Sequence, residues 1–207
     1  MARSLPRALL FCALLQACAS GGSPAEAARS WAEGPARWLL LPDEIAEIRH
    51  LRDDRAVLAA IDRFWQRRDP DPTASGNPAL KTFTERVAAA DNLYADGDRR
   101  GCLTPRGQAL VLLGPPPALR YNQREVKQLQ PQRVAGEAVT ATHIASFEAW
   151  IYGPDDLSPE LQKLLEDAGR EASISLLFED LGDDRARLIE GREFLALAAK
   201  SWLRDGA

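Results

Sequence analysis

The sequence predicts an α+β domain: N-terminal helices packed on a small, mostly antiparallel sheet, closed by a C-terminal helix. Three observations point there. Up to Tyr94, apolar residues recur at helical spacing. Beyond Gly97 they fall into short continuous or alternating runs bounded by Gly, Pro and Asp. The last segment returns to helical spacing. Helices and strands are thus segregated along the chain, which favours α+β over a parallel βαβ architecture.

Each element has its own warrant. Pro42 suits a first helical position, with Asp43 and Glu44 placed where the helix dipole favours anions, and Ile45, Ile48 and Leu51 follow on one side. Asp53 or Asp54 can cap a second helix whose stripe is Val57, Leu58, Ile61, Phe64 and Trp65. That helix must stop in Arg67-Arg68-Asp69-Pro70-Asp71-Pro72, because two prolines forbid continuation. A third helix is expected over 79–94, with Phe83, Val87, Ala90 and Tyr94 inward. Ala109-Leu110-Val111-Leu112-Leu113, set between turn residues, reads as a short buried strand. Gly114-Pro115-Pro116-Pro117 lacks the spacing and lysine of a phosphate loop and reads as a rigid turn. Residues 122–142 are polar and aperiodic and read as a long loop. Alternation predicts strands over 146–152 and 173–179. Ser158-Pro159-Glu160 opens a short helix between them, and Gly182-Asp183-Asp184 turns into a last strand over 185–189. Glu193 to Leu203 is the closing amphipathic helix.

Composition narrows the function. The chain has 207 residues, 45% hydrophobic and 27% charged, with net charge −4, which is ordinary for one soluble globular domain. No basic tract offers a track for a phosphate backbone, so nucleic acid is not an expected partner. The three cysteines, Cys12, Cys18 and Cys102, and two histidines, His50 and His143, have no zinc-site spacing, and neither a metal nor another cofactor is expected.

The N-terminus carries the most specific signal. Arg3 and Arg7 precede an apolar run, 8–15, that fits a signal-peptide core and is too short to span a bilayer. Leu15-Gln16-Ala17-Cys18 then resembles the bacterial lipobox. The resemblance implies cleavage after Ala17 and lipid on the Cys18 sulfur, and Ala19 favours sorting to the outer membrane, facing the periplasm. The expected organisation is a signal peptide over 1–17, a lipidated cysteine and flexible tether over 18–37, and one domain over 38–207. Its partners would be the membrane, through the lipid, and another envelope protein.

Among charged groups, Arg67, Arg68, Asp69 and Asp71 form the densest cluster, and Thr104 and Arg106 stand at the entry to the next element. They are the candidate polar pocket or partner surface: arginine forks grip carboxylate or phosphate, and Asp serves as general acid or base. The competing reading spends them on helix ends and turns, and two flanking prolines favour it. Glu148, between aromatics on a strand, reads as solvent-facing, with an arginine partner as the alternative. Cys102 reads as a small apolar residue, although nearby arginines would lower a thiol pKa.

Phe64-Trp65-Gln66-Arg67-Arg68-Asp69-Pro70-Asp71-Pro72, then Gly101-Cys102-Leu103-Thr104-Pro105-Arg106-Gly107, then Val111-Leu112-Leu113-Gly114-Pro115-Pro116 resemble the GWxTD-domain family, as do the aromatic strand 147–152 and Phe178-Glu179-Asp180-Leu181-Gly182. In the eponymous motif the Trp position is Cys102 and the Asp position is Pro105. Gly101, Thr104, Arg106 and Gly107 remain. The resemblance implies a bacterial envelope protein and supplies no mechanism. The expected function is a lipid-anchored, non-enzymatic binding or scaffolding module, with no catalytic residue assigned. The alternative is an envelope hydrolase acting on a glycan or peptide through an Arg/Asp pocket.

Overall fold

The structure, a computed structural model, describes residues 24–51, 53–134 and 137–203. The signal segment 1–17 and Cys18 lie outside the described residues. The chain divides into two compact units, one up to Gln66 and one from Arg67 onward.

The first unit is helical: α1 (Pro24–Glu33), a 3-10 turn (Pro35–Trp38), α2 (Pro42–His50) and α3 (Asp54–Arg67, whose last residue falls in the second unit). The expectation of a flexible tether through residue 37 is corrected here, because an α-helix occupies Pro24–Glu33. Its sequence combines Pro at the start with Ala and Glu, good helix formers. Trp31 then packs edge-on to Phe64 at 5.0 Å, and Phe64 does the same to Trp65 at 4.9 Å. Such pairs add about 0.5–1.5 kcal/mol beyond burial. The caps follow the sequence signals. Glu44 accepts from the Leu41 N–H (2.9 Å), and Asp53 accepts from the Ala56 N–H (2.9 Å). Ile48, Val57, Ile61 and Phe64 are buried.

The second unit holds α4 (Pro78–Leu93), α5 (Pro105–Leu113), β1 (Ala118–Val134), β2 (Glu137–Tyr152), α6 (Pro159–Asp167), β3 (Ile174–Gly182), β4 (Arg185–Glu190) and α7 (Arg192–Lys200). The four strands form one antiparallel sheet in the order β1-β2-β3-β4. The class is therefore α+β with an antiparallel sheet and a C-terminal helix. Trp150, Leu176 and Phe178 are fully buried on one face of the sheet. Val111, Leu165 and Ala198 bring buried side chains from α5, α6 and α7. Trp150 meets Phe178 at 5.1 Å and Tyr94 at 5.6 Å.

Two elements differ from expectation. Residues 109–113 are not a strand but the body of α5. Thr104 caps this helix, Pro105 occupies its first position, and Gly114 ends it at φ +89°. Every residue from Ala109 to Leu113 is buried, so no polar face interrupts the run, and periodicity cannot tell such a helix from a core strand. Residues 122–134 and 137–142 are not a loop but belong to the long paired strands β1 and β2. Their register runs unbroken from Ala118 opposite Ile151 to Leu129 opposite Thr140. The polarity that suggested a loop reflects exposure, since Ala118 to Glu125 are all exposed. The remaining turn reading agrees with the backbone: Gly182, Asp183 and Asp184 have φ of +77°, +52° and +61°.

Candidate functional site

The predicted polar residues do not converge. Thr104 is buried and committed at both ends: its hydroxyl donates to the Gly101 carbonyl (2.7 Å) and accepts from the Gly107 N–H (3.1 Å). Arg106 leaves the first turn of α5 and meets the sheet. Its Nε lies 2.8 Å from Oε2 of Glu148, with the two side chains only 15% and 11% exposed. The other oxygen of Glu148 accepts from the Trp150 indole N–H (2.9 Å). The expectation of a solvent-facing Glu148 is thus overturned, and the arginine-paired alternative is what the fold builds. Burial of this carboxylate follows from its register, two residues from Trp150 on the core face. The same environment raises the Tyr94 phenol pKa, by burial first and by the Glu148 charge second.

The 67–71 cluster divides. Asp69 accepts from the Asp71 N–H (3.1 Å), and Asp71 accepts from both the N–H (3.0 Å) and the hydroxyl (2.6 Å) of Thr73. These are side-chain turns that shape the Pro70–Pro72 loop. The Thr73 hydroxyl bond is the largest cause lowering the Asp71 pKa. Arg67 is half-buried at the helix end, whereas Arg68 is buried.

Arg68 does line a cleft of about 440 Å³ in the second unit. Its walls are Pro78, Thr82 and Arg86 of α4, Leu112 and Leu113 of α5, Leu157 and Leu161 near the start of α6, and Trp202 after α7. Asp69, Asp71, Thr104 and Arg106 are not among its lining residues. Sequence reasoning missed Arg86 and Trp202. One nitrogen of Arg86 donates to the Val111 (3.2 Å) and Leu112 (3.0 Å) carbonyls, its guanidinium stands 5.5 Å from the Trp202 ring, and the Trp202 indole donates to Leu112 (3.1 Å). Tyr152 donates to the Gly114 carbonyl (2.9 Å). Together these side chains satisfy carbonyls that the end of α5 leaves open. Burial lowers the Arg86 pKa and raises that of Tyr152. At the rim, Asp156 accepts from the Gly153 N–H (2.8 Å) and Glu160 is exposed. The cleft joins apolar wall residues to two arginines, and Asp156, Ser158, Glu160 and Ser201 also line it. Of the residues expected to form an Arg/Asp pocket, Arg68 alone is among its lining residues.

Cys102 is buried beside Asp91. Asp91 accepts from the Cys102 N–H (2.9 Å) and, through its other oxygen, from two Arg100 nitrogens (3.2 and 2.5 Å). Burial, reinforced by the Asp91 carboxylate, pushes the thiol pKa up to about 12 despite the charge of Arg100. For Asp91, burial acts to raise the pKa, and the hydrogen bonds from Arg100 and Cys102 outweigh it and lower it. Among the described residues, no group of three or more His, Cys, Asp and Glu side chains is placed to hold a metal ion.

The segment Gly101–Gly107 lies within a stretch that matches a known family. A model of the GWxTD domain matches residues 34–142, just over half of the chain. This chain belongs to the GWxTD-domain family. No curated protein and no solved structure matches it. The GWxTD match stops inside β2, so the aromatic end of β2, β3 and β4 lie beyond it.

The geometry accounts for which GWxTD motif positions this chain keeps. A Cβ on Gly101 would sit 2.0 Å from the Ala90 carbonyl oxygen, and one on Gly107 would sit 1.8 Å from the Gly101 carbonyl oxygen. Thr104 ties the same two glycines together. These three residues make a tight entry in which α5 starts against the backbone of α4. Pro105, at the Asp position of the motif, stands first in α5, where the missing N–H costs nothing. Cys102, at the Trp position, is a small buried side chain.

Proposed function

We propose that this protein is a lipid-anchored component of the bacterial envelope whose GWxTD domain binds another envelope component and performs no catalysis. The anchor rests on the sequence Leu15-Gln16-Ala17-Cys18 behind a basic and apolar leader. Among the described residues, no helix is long and apolar enough to cross a membrane. Each buried methylene contributes about 0.8 kcal/mol, and two or more acyl chains hold stably. Ala19 after the cysteine supports the outer membrane, with the domain facing the periplasm.

The observation that carries the binding half is the commitment of the polar candidates. Thr104 and Arg106 hold a helix start and a strand, Asp69 and Asp71 hold a turn, and Arg86 holds a helix end. The hydrolase alternative is built on Asp69 and Asp71, and both carboxylates are spent on the Pro70–Pro72 turn and do not line the cleft.

Metabolic labelling with a clickable fatty acid tests the anchor: wild type takes label and Cys18→Ser does not. Equal labelling sinks it. Photo-crosslinking amino acids scanned over exposed positions of the domain in living cells test the binding: discrete adducts at a contiguous set of positions are expected. Uniform absence of adducts, together with turnover of envelope glycan or peptide by the purified protein, refutes it.

A further inference from the structure

The two edges of the sheet are built differently. β4 is short, carries Arg185, Arg187 and Glu190, and its pairing with β3 is interrupted twice by register shifts. These are the usual devices that keep an edge from recruiting another strand. β1 has a continuous register from Ala118 to Leu129 on its β2 side, and among the described residues β2 is its sole partner in the sheet. Ala118 to Glu125 are all exposed. Alternate backbone N–H and C=O groups along this stretch therefore face outward without a strand to receive them.

Side chains on either side of that edge differ in chemistry. Residues directly opposite in an antiparallel pair share a face. Arg120, opposite Ala149, and Arg124, opposite Ala145, stand on one face. Arg124 rests 4.2 Å from the Phe147 ring, and among the described residues neither arginine meets a carboxylate. Leu119 and Tyr121, opposite Trp150 and Glu148, stand on the other face. There Tyr121 is 75% exposed and Ile144 70%. One side of the edge offers two guanidinium groups four residues apart, and the other offers Leu119 and Tyr121, followed by Gln123 and Glu125.

We infer that β1 is a strand-addition site for an extended segment alternating acidic with β-branched or aromatic residues. In such a segment, main-chain hydrogen bonds supply affinity and alternate side chains supply choice. Acidic residues fall beside Arg120 and Arg124, and apolar ones beside Leu119 and Tyr121. A second copy of this chain is the poorer occupant: an antiparallel copy centred on Asn122 sets Arg120 against Arg124, and like charges across a pair repel. The inference rests on the reading of the domain as a binding module and names its surface.

The test uses full-length protein in detergent and two end-capped synthetic peptides, one alternating Val with Glu and one alternating Val with Lys. The Val/Glu peptide is expected to bind and to slow amide exchange within Ala118–Val126. Arg120→Glu together with Arg124→Glu is expected to weaken it roughly tenfold or more, with an unchanged melting curve. Tyr121→Ser, at an exposed position, gives a second, charge-independent weakening. No protection of β1, equal binding of the Val/Lys peptide, or a peptide-free dimer whose β1 amides are already protected overturns the inference. Cellular crosslinks confined to surfaces away from β1 also overturn it while leaving the binding-module reading standing, so the two fail separately.

Discussion

The Arg106–Glu148 pair offers the sharpest test of how the second unit is held together. Its members come from α5 and β2, are almost entirely withdrawn from water, and share the carboxylate with the Trp150 indole. Removing one member of such a pair strands a buried charge and typically costs about 3–5 kcal/mol. Arg106→Met strands Glu148. Glu148→Gln strands Arg106 but keeps an amide oxygen for the indole, which avoids a further loss of about 1–3 kcal/mol from an orphaned N–H. Each single variant should therefore lose about 3–5 kcal/mol, which corresponds to roughly 6–20 °C in melting temperature for a protein of this size. The double variant removes both charges and should recover most of the loss, because a neutral replacement for a buried pair is often near neutral. Urea unfolding followed by tryptophan fluorescence gives the four midpoints of the cycle. If the single losses simply add, with a coupling below about 0.5 kcal/mol, the pair is not a buried electrostatic unit and the reasoning fails.

Two further outcomes follow from the α5 entry and from the thiol. Gly107→Ala should cost more than about 3 kcal/mol, since its Cβ would lie 1.8 Å from a backbone oxygen, and equilibrium unfolding will show whether it does. Cys102 should resist maleimide in the native protein and react in urea. Because its folded pKa is raised from 9.0 to about 12, the protonated folded form is favoured: this stabilisation is complete below pH 9 and is lost as pH rises towards 12, so Cys102→Ala should flatten that alkaline decline.

Sequence reading recovered elements whose signals were local. The Pro42 start with Asp43 and Glu44, the Ser158–Pro159 start and the Gly182–Asp184 turn each announce themselves in two or three residues, and the structure agrees. It failed where the deciding contact was distant. Residues 109–113 look the same as core helix or core strand, and the packing of Thr104 and Gly107 against Gly101, itself seated on Ala90 of α4, decides. The β1–β2 pair has too polar a composition to look like strand. Glu148 was misplaced for the same reason, since its arginine lies in another element. In the cleft, Arg68 was visible as a charged residue after an aromatic helix. Arg86 and Trp202 were not, because nothing local marks a side chain that closes the end of a helix from far along the chain.

That last arrangement sets an order of events. The carbonyls at the end of α5 are closed by Arg86, 25 and 26 residues before them, by Tyr152, 38 residues after Gly114, and by Trp202, 90 residues after Leu112. Closing loops of such length carries an entropic cost that local helix formation does not. α5 is thus a short helix with a wholly apolar body, Ala109 to Leu113, whose exit stays open until the final segment docks. A chain captured before that moment would expose greasy, unfinished backbone, and would be a natural client for holding chaperones.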